Sequence, residues 1–445
     1  MSGIDAKNSL DLLNSLVRVQ KGGEAAVQSY IANFLNDVGC HVEQVEYEPS
    51  KTQRVDDFGS FGDAVSEKKS IVAGRLGGSS NLPSLVVFAH PDTEPVNGLD
   101  RWIGDPFTAR SQDGRLYGWG VADDLAGCAA GMAAISAISS SNGRFGDIEF
   151  VSAPSKSFAR GIVEFLKTKH TDACLYLHPA ESGNGMKEIK AVSSGQLEFE
   201  IRVPGMPPET SEPSQTAFSH LGRNPVDSAL KLYGSLIQLG ESRRSRVRYP
   251  LIEKRVGRPT NLHVSKIRSG KERALSRISD HCIVGGAISF PPGERIEEVM
   301  RELELAIRRF DEEDEWRSMN PASLNWVSGS NGVEIKKSHP LYKITRQAIE
   351  NVAGKAPSVN PMHTASDIRF PIVLRSIPCV GFGCLAGNLA QNGLANEWID
   401  IESYLQMTNA ALNVVEAWAS GEQGASKTPT RSRLGNSPSF RRSGR

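Results

Sequence analysis

In the stretch "LVVFAHPDTEPVNGLDRW" an apolar run leads into His90, and Asp92 follows two positions later. Alternate residues of a strand face the same way, so both side chains can point into the crevice at the carboxyl edge of a parallel sheet, where open α/β folds bind ligands. An imidazole there can bind a metal, and a carboxylate two residues on can orient it or polarise a base. A polar loop closing a buried strand accounts for the pair equally well. About thirty residues on, "GRLYGWGVADDLAG" sets Asp123 and Asp124 at a helix start after two glycines that permit a tight backbone. An aspartate in that position also serves simply as an N-cap. The two segments gain specificity together, with Trp102, Asp105 and Pro106 between them.

These residues need a scaffold, and the hydrophobic pattern supplies one. Val27, Tyr30, Ile31, Phe34, Leu35 and Val38 recur at helical spacing with Gly39 behind them, which predicts an amphipathic helix over 24–38. Residues 85–89, "DIEFVSA" (147–153) and "ACLYL" (173–177) read as strands. They alternate with helices after Asp123 and over 160–169. Strands alternating with helices imply an α/β fold, a mostly parallel sheet flanked by helices. After Gly195 the style changes. "QLEFEIRV" alternates Leu197, Phe199, Ile201 and Val203, the mark of a sheet buried on one face, and Ile296, Val299, Met300, Leu303, Ile307 and Phe310 form one side of a later helix. The expected organisation is therefore a first part of one domain over 1–195, an inserted smaller α+β domain over 196–315, the second part of the first domain over 316–420, and a disordered basic tail over 421–445.

Composition narrows the partners. Lysine plus arginine equals aspartate plus glutamate at 51 each, so no global field favours nucleic acid or an anionic membrane. A basic cluster lies in the tail, whose Gly, Ser, Pro and Arg cannot bury enough apolar surface to order it. The first twenty residues are polar and mixed in charge, and nowhere do eighteen apolar residues run together. A cytoplasmic protein with neither nucleic-acid nor membrane partners is expected. The six cysteines form no Cys-x-x-Cys pair, which disfavours a disulfide framework and a thiolate zinc site alike.

"HPDTEP", "WIGDPF" and "GWGVADD", together with "HTASDIR" and "NEWIDIESY" near the end, resemble the co-catalytic zinc amidohydrolases and metallopeptidases: acetylornithine deacetylase, succinyl-diaminopimelate desuccinylase, aminoacylase and carboxypeptidase G. The resemblance spans nearly the whole chain outside the tail. It implies a zinc exopeptidase-like catalytic domain and an inserted lid through which two copies dimerise. It makes His90 a metal ligand, Asp92 the group that steadies the ligands, Asp123 the carboxylate bridging two metals and Asp124 a helix-start residue.

Three departures shape what the resemblance implies here. The family's Glu-Glu pair, a base and a metal ligand, is replaced by Ser155 and Lys156 in "PSKSFARG". A histidine expected before "NEW" is replaced by a segment offering only Gln391 and Asn392. Where a glutamate usually follows the strand, this chain has His178 in "LHPAESG", as the carbamoyl-amino-acid hydrolase branch does. Both outright losses fall on the same metal. One metal keeps His90, Asp123 and His178, three ligands with an open position as catalytic zinc requires. Lys156 then either points inward and supplies positive charge in place of the second metal, or lies on the surface of a decayed loop. Glu181 and Glu94 are the candidate bases, His220 in the lid is a candidate for the oxyanion, and Arg369, His363 and Asp367 are candidates for substrate binding, Arg369 either pairing with a substrate carboxylate or forming a structural ion pair with Asp367 or another acid.

The expected activity is metal-dependent cleavage of an amide or carbamoyl C–N bond in a small carboxylate-bearing molecule such as an N-acyl amino acid. One zinc, manganese or cobalt ion is expected per chain. The alternatives are a catalytically degenerate homologue with a binding or regulatory role, and a changed reaction such as deamination or acyl transfer.

Overall fold

The computed structural model describes residues 4–52, 57–59, 67–93, 95–96, 98–156, 159–179, 183–361, 366–386 and 394–421. Glu94, Glu181, His363, Gln391, Asn392 and all but the first residue of the expected tail lie outside them. In chain order the principal strands are β1 (His41–Tyr47), β2 (Lys69–Leu76), β3 (Leu85–Ala89), β4 (Ile148–Ser152), β5 (Ala173–Leu177), β6 (Gly195–Pro204), β7 (Asn261–Ser269), β8 (His281–Phe290), β9 (Ser323–Ser330) and β10 (Cys379–Phe382). The helices that matter below are α1 (Ala6–Val19), α2 (Glu24–Asp37), α3 (Ala126–Ser139), α4 (Gly161–Leu166), α5 (Pro225–Arg246), α6 (Ile296–Glu312), α7 (Pro340–Ala353), α8 (Arg369–Arg375) and α9 (Ile401–Ala419).

The central sheet has the order β1-β2-β4-β3-β5-β10. Strands β4, β3, β5 and β10 are parallel, while β2 runs antiparallel to both its neighbours. The apolar run of β3 is divided between two cores. Leu85, Val87 and Ala89 face the layer of α1, α2, α3, α7 and α9, whereas Val86 and Phe88 face that of α4 and α8. A strand buried on both faces has no polar side to alternate with, which is why its sequence reads as continuous. Helix α3 packs tightly because of its small residues. A Cβ at Gly127 would stand 2.3 Å from the carbonyl oxygen of Leu177, so glycine lets the helix start approach the end of β5. The apolar stretch Val121–Ser139 is long enough to cross a membrane but is 83% buried inside the protein, as a core helix is.

A second, antiparallel sheet has the order β7-β8-β6-β9, with the short strand Asp57–Gly59 at its far edge. Leu197, Phe199, Ile201 and Val203 of β6 all face α5 and α6, meeting Leu232, Leu236, Val299 and Leu303. This sheet takes β9 from beyond residue 315, where the inserted segment was expected to end. The sequence of β9, "SLNWVSGS", alternates too weakly to mark it as a member of that sheet.

Candidate metal centre

His90 is the first residue beyond β3, and His178 the first beyond β5; since these strands are parallel neighbours, both imidazoles emerge at the same edge. Their ring centroids lie 5.5 Å apart. Asp123 reaches them from the loop before α3. Its Oδ1 is 3.0 Å from His90 Nε2 and 3.3 Å from His178 Nε2. That loop turns at Gly120, with φ of +72°, where a Cβ would lie 2.4 Å from the Thr93 methyl. The peptide bond between Asp123 and Asp124 is cis.

Every group around this core is backed by another. His90 Nδ1 lies 3.2 Å from Asp92 Oδ1. The Asp92 carboxylate accepts from the amide of Ser155 at 2.9 Å and from that of Lys156 at 2.6 Å, which ties the 153–156 loop to His90. Burial alone would raise the Asp92 pKa, but His90 and these amides hold it below the ordinary carboxylate range. For Asp123 burial is likewise outweighed, by His178 and His90, and its carboxyl is held well below that range. Burial opposes charge on His90, yet Asp123 and Asp92 carry its pKa well above the usual imidazole value. Asp124 accepts from the His90 amide at 3.2 Å and from the Gly127 amide at 3.1 Å, the helix-start role expected of it, and burial pushes its pKa up to about 6.

Lys156 points inward. Its ammonium donates to Asp123 Oδ2, the oxygen that the imidazoles leave, and its side chain is 23% exposed. The carboxylate is therefore shared: Oδ1 serves two histidines and Oδ2 serves a lysine. One atom each from His90, Asp123 and His178 lie within 4.8 Å of one another. A tetrahedral ion with ligand bonds of ~2.0–2.1 Å spaces its ligands by roughly 3.3 Å, close to the two separations seen here. The donor set fits a divalent ion, and Oδ2 faces the Lys156 ammonium.

Of the other expected residues, one joins this cluster and two stand apart from it. Asp367 accepts from Ser155 Oγ at 2.6 Å, so it belongs to the same loop cluster. Arg369 opens α8, largely buried, with its guanidinium 4.6 Å from the ring centre of Phe370. His220 lies exposed in the lid turn Thr216–Leu221, and no contact described for it joins the cluster.

Two residues escaped sequence reasoning. Lys190 is buried, and its Nζ lies 2.9 Å from His178 Nδ1, 3.0 Å from the His178 carbonyl oxygen and 3.1 Å from that of Pro179. Glu397 is buried under the Asp123 loop and accepts from the Gly120 amide at 3.3 Å and the Ala122 amide at 2.6 Å. Burial, with the Asp123 charge adding, pushes the Glu397 pKa up to about 8. Only the position of Glu397 in "NEW" hinted at it; nothing in the sequence singled out Lys190.

Residues 86–417 match the sequence profile of peptidase family M20/M25/M40. An N-formyl-4-amino-5-aminomethyl-2-methylpyrimidine deformylase of Halalkalibacterium halodurans is 22% identical over 408 residues, 88% of this chain and 89% of its own. A succinyl-diaminopimelate desuccinylase of Ehrlichia canis is 30% identical over 181 residues, 39% of this chain and 45% of its own. Among solved structures, a tripeptidase from Staphylococcus aureus superposes with a TM-score of 0.68 at 17% identity, over 93% of this chain and 99% of its own. An M20 family metallo-carboxypeptidase from Sulfolobus solfataricus gives 0.65 at 14% identity, over 92% and 99%. At such identities the structures share the fold.

Proposed function

The chain belongs to peptidase family M20/M25/M40, whose members hydrolyse amide and peptide C–N bonds, and from that premise we propose a metal-dependent amidohydrolase with one divalent ion per chain. Its substrate is a small carboxylate-bearing molecule such as an N-acyl or N-carbamoyl amino acid. The observation that carries this reading is the division of Asp123, with Oδ1 turned to two imidazoles and Oδ2 to Lys156. His90, Asp123 and His178 hold the ion, which when bound polarises a carbonyl and makes water more acidic. Asp92 fixes the His90 ring. Lys156 keeps positive charge beside Asp123 and, since it also lines the adjoining cleft, stands where negative charge on a reacting carbonyl oxygen needs stabilising. Glu181, three residues past His178, is the proposed base, with Glu94 the alternative; His220, reaching in from a second copy of the chain, is the proposed oxyanion group, and Arg369 and His363 receive the substrate carboxylate, with Asp367 beside them.

The lid is the proposed dimer surface. Leu230, Tyr233 and Ile237 stand exposed at helical spacing on α5, beside the open edge of β7. Six free, buried cysteines suit a reducing cytoplasm.

A second reading has its own support: Ser155 and Lys156 occupy the place of the family's base, and the ammonium already satisfies Asp123. The protein is then a binding homologue without turnover. A hydrolysis screen over N-acetyl, N-succinyl, N-carbamoyl and dipeptide substrates separates the two. Release of a free amine by the metal-loaded native chain, lost in His90→Ala, supports the enzyme; no release from any class supports the binder.

A further inference from the structure

Beside the centre lies a cleft of about 350 Å³, most of whose wall the proposed reaction leaves without a role. It reaches the centre through Asp92 and Lys156, and its far wall carries Lys69 and Glu24. Their position follows from topology. Because β2 runs antiparallel to β4, with Val72 opposite Ser152, its first residue Lys69 lies past the carboxyl end of β4, at the edge where His90 and His178 emerge. Glu24 opens α2 directly across from it. The Lys69 ammonium donates to the Glu24 carboxylate, and the side chains are 19% and 20% exposed.

We propose that this cleft is a subsite for an α-amino-acid head group, with Lys69 taking its carboxylate and Glu24 its ammonium. Among the described residues each of these two head groups bonds only the other, so protons of Lys69 and an oxygen of Glu24 remain for a ligand. The pair is not needed to anchor α2, since Gln28 Nε2 already donates to the carbonyl oxygens of Ser70 at 2.7 Å and Ser152 at 3.2 Å. Charge balance selects the ligand. Adding a lone carboxylate or a lone amine to a half-buried ion pair leaves an uncompensated charge where water is scarce, whereas a zwitterion completes an alternating, neutral set of four. The volume lies near the lower end of the ~300–1,000 Å³ typical of small-ligand sites, and Trp119 and Phe107 offer apolar walls to a side chain. The hydrolase reading enters only in what the subsite serves, holding one end of the substrate beside the bond to be cut. Occupancy needs neither metal nor turnover.

Calorimetric titration of the chelator-treated full chain with two matched sets tests this. One set is L-norleucine, hexanoate and 1-pentylamine; the other is L-phenylalanine, 3-phenylpropanoate and phenethylamine. At least one amino acid is expected to bind tenfold or more tightly than both its singly charged analogues. Lys69→Met and Glu24→Gln, with circular dichroism spectra like the native chain's, are each expected to weaken that binding at least tenfold, and Lys69→Arg to retain most of it. Equal binding of the singly charged analogues, no binding of either amino acid at millimolar concentration, or native-like binding by both neutral variants overturns the proposal. Binding that persists where the hydrolysis screen finds no product removes the enzyme reading and leaves the subsite.

Discussion

The two imidazoles that meet Asp123 leave neighbouring parallel strands, yet they are backed in opposite electrical senses. Behind His90 stands the carboxylate of Asp92; behind His178 stands the ammonium of Lys190. A carboxylate at Nδ1 fixes the proton there and strengthens the opposite nitrogen as a ligand. An ammonium at Nδ1 competes with the Pro179 carbonyl, 2.9 Å away, for that nitrogen and draws electron density from the ring. In the proposed metal site His90 is thus the strong ligand and His178 the exchangeable one, with Asp123 common to both.

Removing the shared group should do the most. Asp123→Ala is expected to abolish metal retention and lower any hydrolysis more than a hundredfold, as read by elemental analysis and product release. Next, His90→Ala should weaken metal binding more than His178→Ala, measured by competition with a chromophoric chelator; equal losses break the comparison. The backing groups should then act with opposite signs. Asp92→Asn is expected to weaken metal binding by ~10–100-fold. Lys190→Met should leave metal binding intact or tighter while lowering the urea-unfolding free energy by about 2 kcal/mol, since three acceptors lose a charged donor.

The last effect concerns pH. Glu397 carries a pKa of about 8 in the folded chain, against an ordinary 4.5. Between those values the folded chain binds the proton and the unfolded chain has lost it. Its contribution to stability is therefore full below pH 4.5 and declines as pH rises towards about 8, by up to ~1.4 kcal/mol per unit. Glu397→Gln should flatten that decline in metal-free protein, measured as denaturation midpoints at pH 5 and pH 8.

What could be read in advance follows from how each feature is written in the chain. Strands β3 and β5 and helix α3 announce themselves through continuous apolar or small residues, and His90 and Asp92 stand at the end of such a run. Lys156 was legible as a departure, but only the fold shows its ammonium at Asp123 Oδ2. Lys190 and Glu397 were not legible, because a buried charge is defined by its partners. Glu397 meets Ala122 across 275 residues, and Lys190 meets His178 only after the intervening turn brings them together. Strand direction is equally silent. Periodicity shows that residues alternate, not which way they run, so the antiparallel β2 that sets Lys69 at the active edge comes from pairing alone.

The most direct test of the account is the number of metal equivalents held per chain when metal-free protein is titrated with zinc and the excess removed by gel filtration. One equivalent, lost in His90→Ala and in Asp123→Ala, is the predicted result. Two equivalents, showing that Lys156 does not fill the second place, or none in well-folded protein, would contradict it.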